Sequence, residues 1–260
     1  MAWVLRGLRE GVVTTPYPRR PDGYGPDFRA SVSVLPSASA EGDRGLAGLC
    51  PTGAIADEGG SVFLDRGRCI LCGRCVAARP GDFAFGSATE VAAVGRSALV
   101  VPSSGERDEE LALMREELAT RVRALRRSVH VRHVDAGSDG SEEWEVAALL
   151  NPVYDVQRLG VFFTATPRHA DVLLVTGAGS LGMLGPLRRT YEAMPDPRVV
   201  IAAGTDATSG GLVHPSYATR GGVAGAVPVD VYVPGSPPSP FSLLHGILVA
   251  VGIIAKAASG

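Results

Sequence analysis

Residues 171–182 run Asp171-Val172-Leu173-Leu174-Val175-Thr176-Gly177-Ala178-Gly179-Ser180-Leu181-Gly182. Between Asp171 and Thr176 the apolar residues do not alternate with polar ones but form one short continuous stretch. That is the pattern of a strand buried on both faces, as in a parallel sheet. The glycines that follow at once mark a tight turn, and Leu184–Met194 beyond it carries a helical pattern. Strand, glycine turn and helix in that order open a βαβ unit.

The same grammar recurs on either side. Strands are predicted at Val129–Val134, Arg198–Ala203 and Val227–Val233, and helices near Glu142–Leu150 and Phe241–Ala255. Residues 129–260 therefore read as a doubly wound, flavodoxin-like parallel-sheet α/β domain. Ligands of such sheets sit beyond the carboxyl ends of the strands. The candidate crevice is accordingly built from Asp135–Ser141, Gly177–Gly182, Gly204–Gly211 and Pro234–Pro238. Upstream, Leu111, Met114, Leu118, Val122 and Leu125 recur at three- and four-residue steps, which predicts a linker helix over 106–128. Residues 36–105 are expected to form a small α+β domain with a strand at Ser61–Leu64. Residues 1–35, rich in Pro, Gly and Arg, are expected to be an extended lead lying against another part.

The chain has four cysteines, Cys50, Cys69, Cys72 and Cys75. In the two-cluster run C-x2-C-x2-C-x3-C-P, three cysteines hold one iron–sulfur cluster and the fourth, before the proline, crosses to the other. Cys69, Cys72 and Cys75 match the first three positions, but Arg79 stands before Pro80 where the fourth would be. A partner run ends at Cys50-Pro51, with Ala40, Asp43 and Leu46 at its other cysteine positions. The substitutions empty one site as a set and leave the other whole. One [4Fe–4S] cluster on Cys50, Cys69, Cys72 and Cys75 is the expectation, with a zinc-filled or empty relic and a disulfide role as alternatives.

This part, roughly residues 8–100, resembles the bacterial-type ferredoxin domain found as the polyferredoxin subunit of formate hydrogenlyase and related complexes. The lead Gly11-Val12-Val13-Thr14-Thr15-Pro16-Tyr17-Pro18 is similar to the start of those subunits.

A second resemblance covers residues 129–248. It rests on Arg132-His133-Val134-Asp135-Ala136-Gly137-Ser138, Leu149-Leu150-Asn151-Pro152, Thr166-Pro167-Arg168-His169-Ala170-Asp171 and Pro228-Val229-Asp230-Val231-Tyr232-Val233-Pro234-Gly235. These runs resemble the small subunit of group 4 [NiFe]-hydrogenases and its homologue in the NADH:quinone oxidoreductase of respiratory complex I. The resemblance implies a [4Fe–4S] cluster in the crevice, yet Asp139, Glu142, Asp206 and Ser236 stand where its cysteines would be. Oxygen donors are hard and iron–sulfur clusters take thiolates, so this crevice should not retain that cluster. The four oxygens could suit Mg²⁺ or Ca²⁺. Alternatively, Asp139-Gly140-Ser141-Glu142 fits a capping box, with Asp139 accepting from the helix start and Glu142 reaching back. His133 and His169 read as structural residues, with contact to a large subunit as the functional alternative for Arg168-His169.

Composition excludes other classes. With 25 Lys+Arg against 27 Asp+Glu, the net charge of −2 over 260 residues offers no footprint for nucleic acid. Met1–Gly7 is too short an apolar stretch for a secretory segment, so a reducing, cytoplasmic setting is expected. The apolar stretch 241–255 is interrupted by His245, Gly246 and Gly252 and falls short of the ~20 residues a spanning helix needs. Gly177-Ala178-Gly179 with Gly182 fits G-x-G-x-x-G, but no acidic residue ends a following strand as dinucleotide binding requires.

The resemblances together imply a fused, peripheral electron-transfer subunit on the cytoplasmic face of the membrane. It would have no catalytic centre and no transmembrane span of its own, and would dock against a large-subunit homologue and membrane-arm subunits. A redox-silent adaptor between those partners is the alternative.

Overall fold

The structure is a computed structural model that describes residues 2–21, 28–38, 45–103, 105–125, 128–213 and 215–254. Its centre is a six-stranded sheet of β5 (Ala93–Val94), β7 (Val129–Asp135), β8 (Val161–Phe163), β9 (Val172–Thr176), β10 (Val199–Ala203) and β11 (Val231–Val233), in the order β5-β11-β10-β9-β7-β8. The strands from β7 to β11 pair in parallel, and β5 closes one edge antiparallel to β11. Without β5, the order is that of a doubly wound sheet, 2-1-3-4-5.

Every residue of β9 and β10 is buried, the consequence of helices on both faces. Val172 and Leu174 join the core on one side with Val146 and Leu149 from the α5 region (Ser141–Ala148) and Leu244 and Ile247 from α8 (Pro240–Ala250). Leu173 and Val175 point the other way, to a core holding Leu187 of α6 (Leu181–Glu192). Each such side chain contributes roughly 1.5–3 kcal/mol on full burial. The predicted strand Val227–Val233 is shorter than expected, because only Val231–Val233 reach the ladder. The predicted loop Gly204–Gly211 is corrected too: Gly204–Ser209 forms a helix, α7.

Helix α8 is buried along its whole length. Ser239 caps it by accepting from the Ser242 N–H at 3.2 Å, and Pro240 occupies its first turn. His245 Nδ1 accepts from the Ala92 N–H at 3.2 Å, which ties α8 to the segment leading into β5. Among the described residues, no helix is long and apolar enough to cross a membrane.

The remaining elements build a small α+β unit. β2 (Ile55–Glu58), β3 (Ser61–Asp65) and β6 (Val100–Val101) form an antiparallel sheet, and β1 (Ser31–Val34) pairs with β4 (Phe83–Gly86). Two short helices, α2 (Leu46–Leu49) and α3 (Arg74–Ala78), flank the cysteines: Cys50 follows α2, Cys69 and Cys72 lie in the loop ahead of α3, and Cys75 is within α3. Residues 93–94, expected within this unit, instead complete the large sheet. The linker helix is α4 (Gly105–Arg121), shorter than the expected 106–128; Leu111 and Leu118 are buried on it, and Val122 and Leu125 are buried in the turn beyond its end.

The expected extended lead is helical at its start, α1 (Ala2–Glu10), where apolar and arginine residues share a short amphipathic turn pattern. Its end, Ser31–Val34, is a strand of the small unit. Between them the lead does lie against the large domain. The Thr15 N–H donates to the Val153 carbonyl at 2.8 Å, and the Thr14 hydroxyl donates to the Pro152 carbonyl at 2.8 Å.

Candidate metal centre

Cys50, Cys69, Cys72 and Cys75 are free thiols lining one pocket, with Val32, Ile55 and Leu64 among its apolar walls. Local backbone explains how they meet. Helix α2 stops at Cys50, whose extended backbone turns the chain into Pro51. Between Cys69 and Cys75 the chain coils tightly: Leu71 adopts φ 55° and Gly73 φ 73°. A Cβ at Gly73 would stand 2.9 Å from the Phe85 ring, so only glycine closes this loop and starts α3.

Backbone amides aim at the sulfurs. The Ala54 N–H donates to Cys50 Sγ at 3.3 Å, and the Leu71 and Val76 N–H groups bond Cys69 and Cys75. Burial pushes the Cys69 thiol up to about 12, with the neighbouring thiols adding to the rise and the Leu71 amide opposing it. Burial raises Cys75 as well. These sulfurs are held as thiols until a cation draws the protons off, which is how a metal centre would be loaded. Among the described residues, no group of three or more His, Cys, Asp or Glu forms a set that could hold a metal ion as the protein stands.

Arg66, which sequence reading does not single out, lies beside Cys69. It is anchored through Nε to the Val32 carbonyl and through Nη2 to Ser33 Oγ, both at 3.2 Å. Burial lowers its pKa and Cys69 opposes that shift, so a cation is held next to the sulfur. The position expected to have lost a crossing cysteine, Arg79, pairs through Nε with Asp82 at 2.5 Å. Its N–H bonds to the Cys75 carbonyl, ending α3. Leu46 opens α2, while Ala40 and Asp43 lie outside the described residues.

The crevice of the large sheet abuts this centre. The Thr205 hydroxyl, in α7, donates to the Cys69 carbonyl at 3.0 Å, and Gly235 shares a cavity wall with Cys69 and Leu71. Arg96, just after β5, grips Asp65 of β3 with two bonds of 2.7 and 2.6 Å. Bidentate charge-assisted pairs of this kind fix orientation as well as distance.

Within the crevice, Asp139, Glu142 and Asp206 come close enough to act on one another electrostatically, while Ser236 is exposed on the adjoining loop. The capping-box expectation is half corrected. Asp139 Oδ1 accepts from the Ser141 hydroxyl at 2.6 Å and, as expected of a cap, from the Ser141 N–H at 2.9 Å, and the two bonds lower its pKa. Glu142 Oε2 lies 3.2 Å from Oγ of Ser141, the first residue of α5, so the carboxyl stays in the first turn. Glu142 is turned inward, 1% exposed, and its carboxyl lies against Gly204. Burial raises Glu142 to about 7, with Asp206 and Asp139 adding to it, and burial likewise raises Asp206.

The histidines are placed differently. His133 Nε2 lies 3.0 Å from Thr176 Oγ1 in a satisfied polar network, with its pKa lowered chiefly by burial. Arg168 and His169 are exposed in a short 3-10 turn, Pro167–His169.

Residues 140–250 match the family described as NADH ubiquinone oxidoreductase, 20 Kd subunit. Formate hydrogenlyase subunit 7 of Escherichia coli (strain K12) is 39% identical over 159 residues, and the chain spans 61% of that protein's length, as the match spans 61% of this chain. The probable membrane-bound hydrogenase subunit mbhJ of Pyrococcus furiosus is 40% identical over 147 residues, covering 56% of this chain and 88% of that one. Among solved structures, a chain of the membrane-bound sulfane sulfur reductase, an archaeal respiratory membrane complex, aligns with a TM-score of 0.44 and 29% identity over 50% of this chain and 75% of that one. The α/β sheet, the extent of the match to mbhJ and the family match over residues 140–250 agree, and this chain belongs to the NADH ubiquinone oxidoreductase 20 Kd subunit family.

Proposed function

We propose that this protein is a peripheral electron-transfer subunit of a membrane-bound complex of the hydrogenase and NADH:quinone oxidoreductase kind, carrying one [4Fe–4S] cluster in a ferredoxin-like N-terminal unit. The observation that carries the reading is the meeting of Cys50, Cys69, Cys72 and Cys75 in one pocket, with amides directed at three of the sulfurs. Soft thiolates in an apolar, amide-lined loop are the donor set for an iron–sulfur centre. A lone zinc ion needs its sulfurs about 2.3 Å from a single point, whereas a cubane is gripped at separate corners. When bound, the cluster supplies one-electron storage. The chain's own residues supply the thiols, the directed amides and the Arg66 charge.

In this reading the chain joins a ferredoxin-like unit to a hydrogenase-small-subunit-like domain that has lost its own cluster. It docks against a large-subunit homologue and membrane-arm subunits on the cytoplasmic face. Two of the relatives named above carry names of hydrogen-handling complexes, which supports the choice of partners.

A second reading, a redox-silent adaptor stapled by its cluster, is favoured by the oxygen donors at Asp139, Glu142, Asp206 and Ser236. The whole complex separates the two readings. In the electron-transfer reading, Cys69→Ser leaves the partners co-purifying but abolishes electron flow from a one-electron donor to the complex. Unchanged electron flow with the cluster absent selects the adaptor.

A further inference from the structure

Glu142 is a buried carboxyl that the electron-carrying role does not use. It sits at the carboxyl edge of the sheet on α5, 1% exposed, with its Oε2 3.2 Å from Ser141 Oγ, whose hydroxyl donates to Asp139 Oδ1 at 2.6 Å. A Cβ on Gly204 would stand 2.5 Å from Glu142 Oε1, so the carboxyl rests on the Gly204 backbone. The next residue, Thr205, donates its hydroxyl to the Cys69 carbonyl at 3.0 Å. Glu142 thus touches the residue next to Thr205, the side chain that reaches the cysteine loop. The charged groups facing it are Asp206 from α7 and Asp139 from the loop ahead of α5, and both are acids. An electron arriving at the cysteine loop, joined to Gly204 through Thr205, would add a further negative charge to a buried region where charges act strongly.

We propose that Glu142 is the proton acceptor coupled to the redox centre: when the cluster gains one electron from a donor, a proton from water binds the Glu142 carboxylate, and it returns to water when the electron leaves. The inference rests on the reading that the four thiols hold a redox-active cluster. Burial supports it by holding Glu142 at about 7, where a modest added charge changes its occupancy at neutral pH. Electron and proton gains balance, so the centre's reduction leaves the local charge unchanged.

The sign follows from linkage. Below the carboxyl's pKa the proton is already bound in both redox states, and the midpoint potential is flat. From about pH 7 up to the higher pKa the carboxyl has in the reduced state, reduction takes up a proton and the potential falls with pH, by at most ~59 mV per unit for one electron.

The test is a potentiometric titration followed by low-temperature EPR across roughly pH 6–9 on the full chain, wild type against Glu142→Gln. The wild-type midpoint should fall above about pH 7, and the variant should lose most of that slope. The two proteins should agree at the acid end and diverge at the alkaline end, with the variant higher. A flat wild-type profile, or a slope unchanged by Glu142→Gln, overturns the proposal. Absence of any cluster signal overturns the underlying reading instead. If the variant does not fold, the reduced-minus-oxidised infrared spectrum of the wild type decides: a protonated carboxyl band gained on reduction supports the assignment, and no such band refutes it.

Discussion

The Thr205 hydroxyl donates to the Cys69 carbonyl at 3.0 Å, in a buried position that joins the helix of one unit to the cysteine loop of the other. The bond settles a carbonyl that would otherwise lose water without replacement. Thr205→Val keeps the side-chain shape and removes the donor. It should cost about 1–3 kcal/mol and lower iron retention, while Thr205→Ser restores both. Denaturant midpoints and iron content per chain check this.

Gly204 begins α7 with φ 93° and has the Glu142 carboxyl against it. Gly204→Ala imposes a left-handed backbone on an L-residue and pushes a Cβ into that carboxyl. A loss of roughly 2–4 kcal/mol is expected by denaturant unfolding, far beyond an exposed Gly→Ala change.

Stability should also depend on pH through Glu142. Its carboxyl is raised from 4.5 to about 7 by burial, with Asp206 and Asp139 contributing. A raised carboxyl gives its full stabilisation below the unfolded value and loses it as pH climbs through the folded one. Glu142→Gln should therefore match the wild type near pH 4.5 and exceed it above about pH 7, by on the order of 1–2 kcal/mol. Paired unfolding curves at acid and neutral pH measure it, and an advantage confined to acid pH contradicts the sign.

Arg66 holds a positive charge beside Cys69. A nearby cation favours the state with the extra electron, so Arg66→Gln should lower the midpoint potential. The shift should be tens of millivolts, ~59 mV being tenfold for one electron. EPR-monitored potentiometry reads it directly, and an unchanged or raised potential rejects the role given to Arg66.

Much of the large domain is legible because its strands are buried on both faces. Val172–Val175 and Val199–Ala203 carry no polar residue, and such runs announce a parallel sheet. Strand β8, three residues on an edge, and β5, two residues borrowed from upstream, are too short to leave a period. Helix α7 reads as a loop because Gly204, Thr205 and Asp206 are weak helix formers. Its packing against β10 and β11 overrides that preference.

The cysteine set is legible from spacing alone, since thiols in that rhythm leave few other uses. Arg66 and Thr205 are not legible. Their roles arise from long-range contacts to Val32 and Cys69, and nothing in their local sequence marks them. Glu142 misleads for a related reason. Its neighbours spell a helix cap, but the space above Gly204 draws its carboxyl inward.

The most direct test of the central claim is iron analysis and low-temperature EPR of the dithionite-reduced, anaerobically purified full chain. The account predicts about four iron atoms per chain and one [4Fe–4S]⁺ signal that disappears in Cys72→Ala. About eight iron atoms with two interacting signals, or a single signal that survives Cys72→Ala, would contradict it.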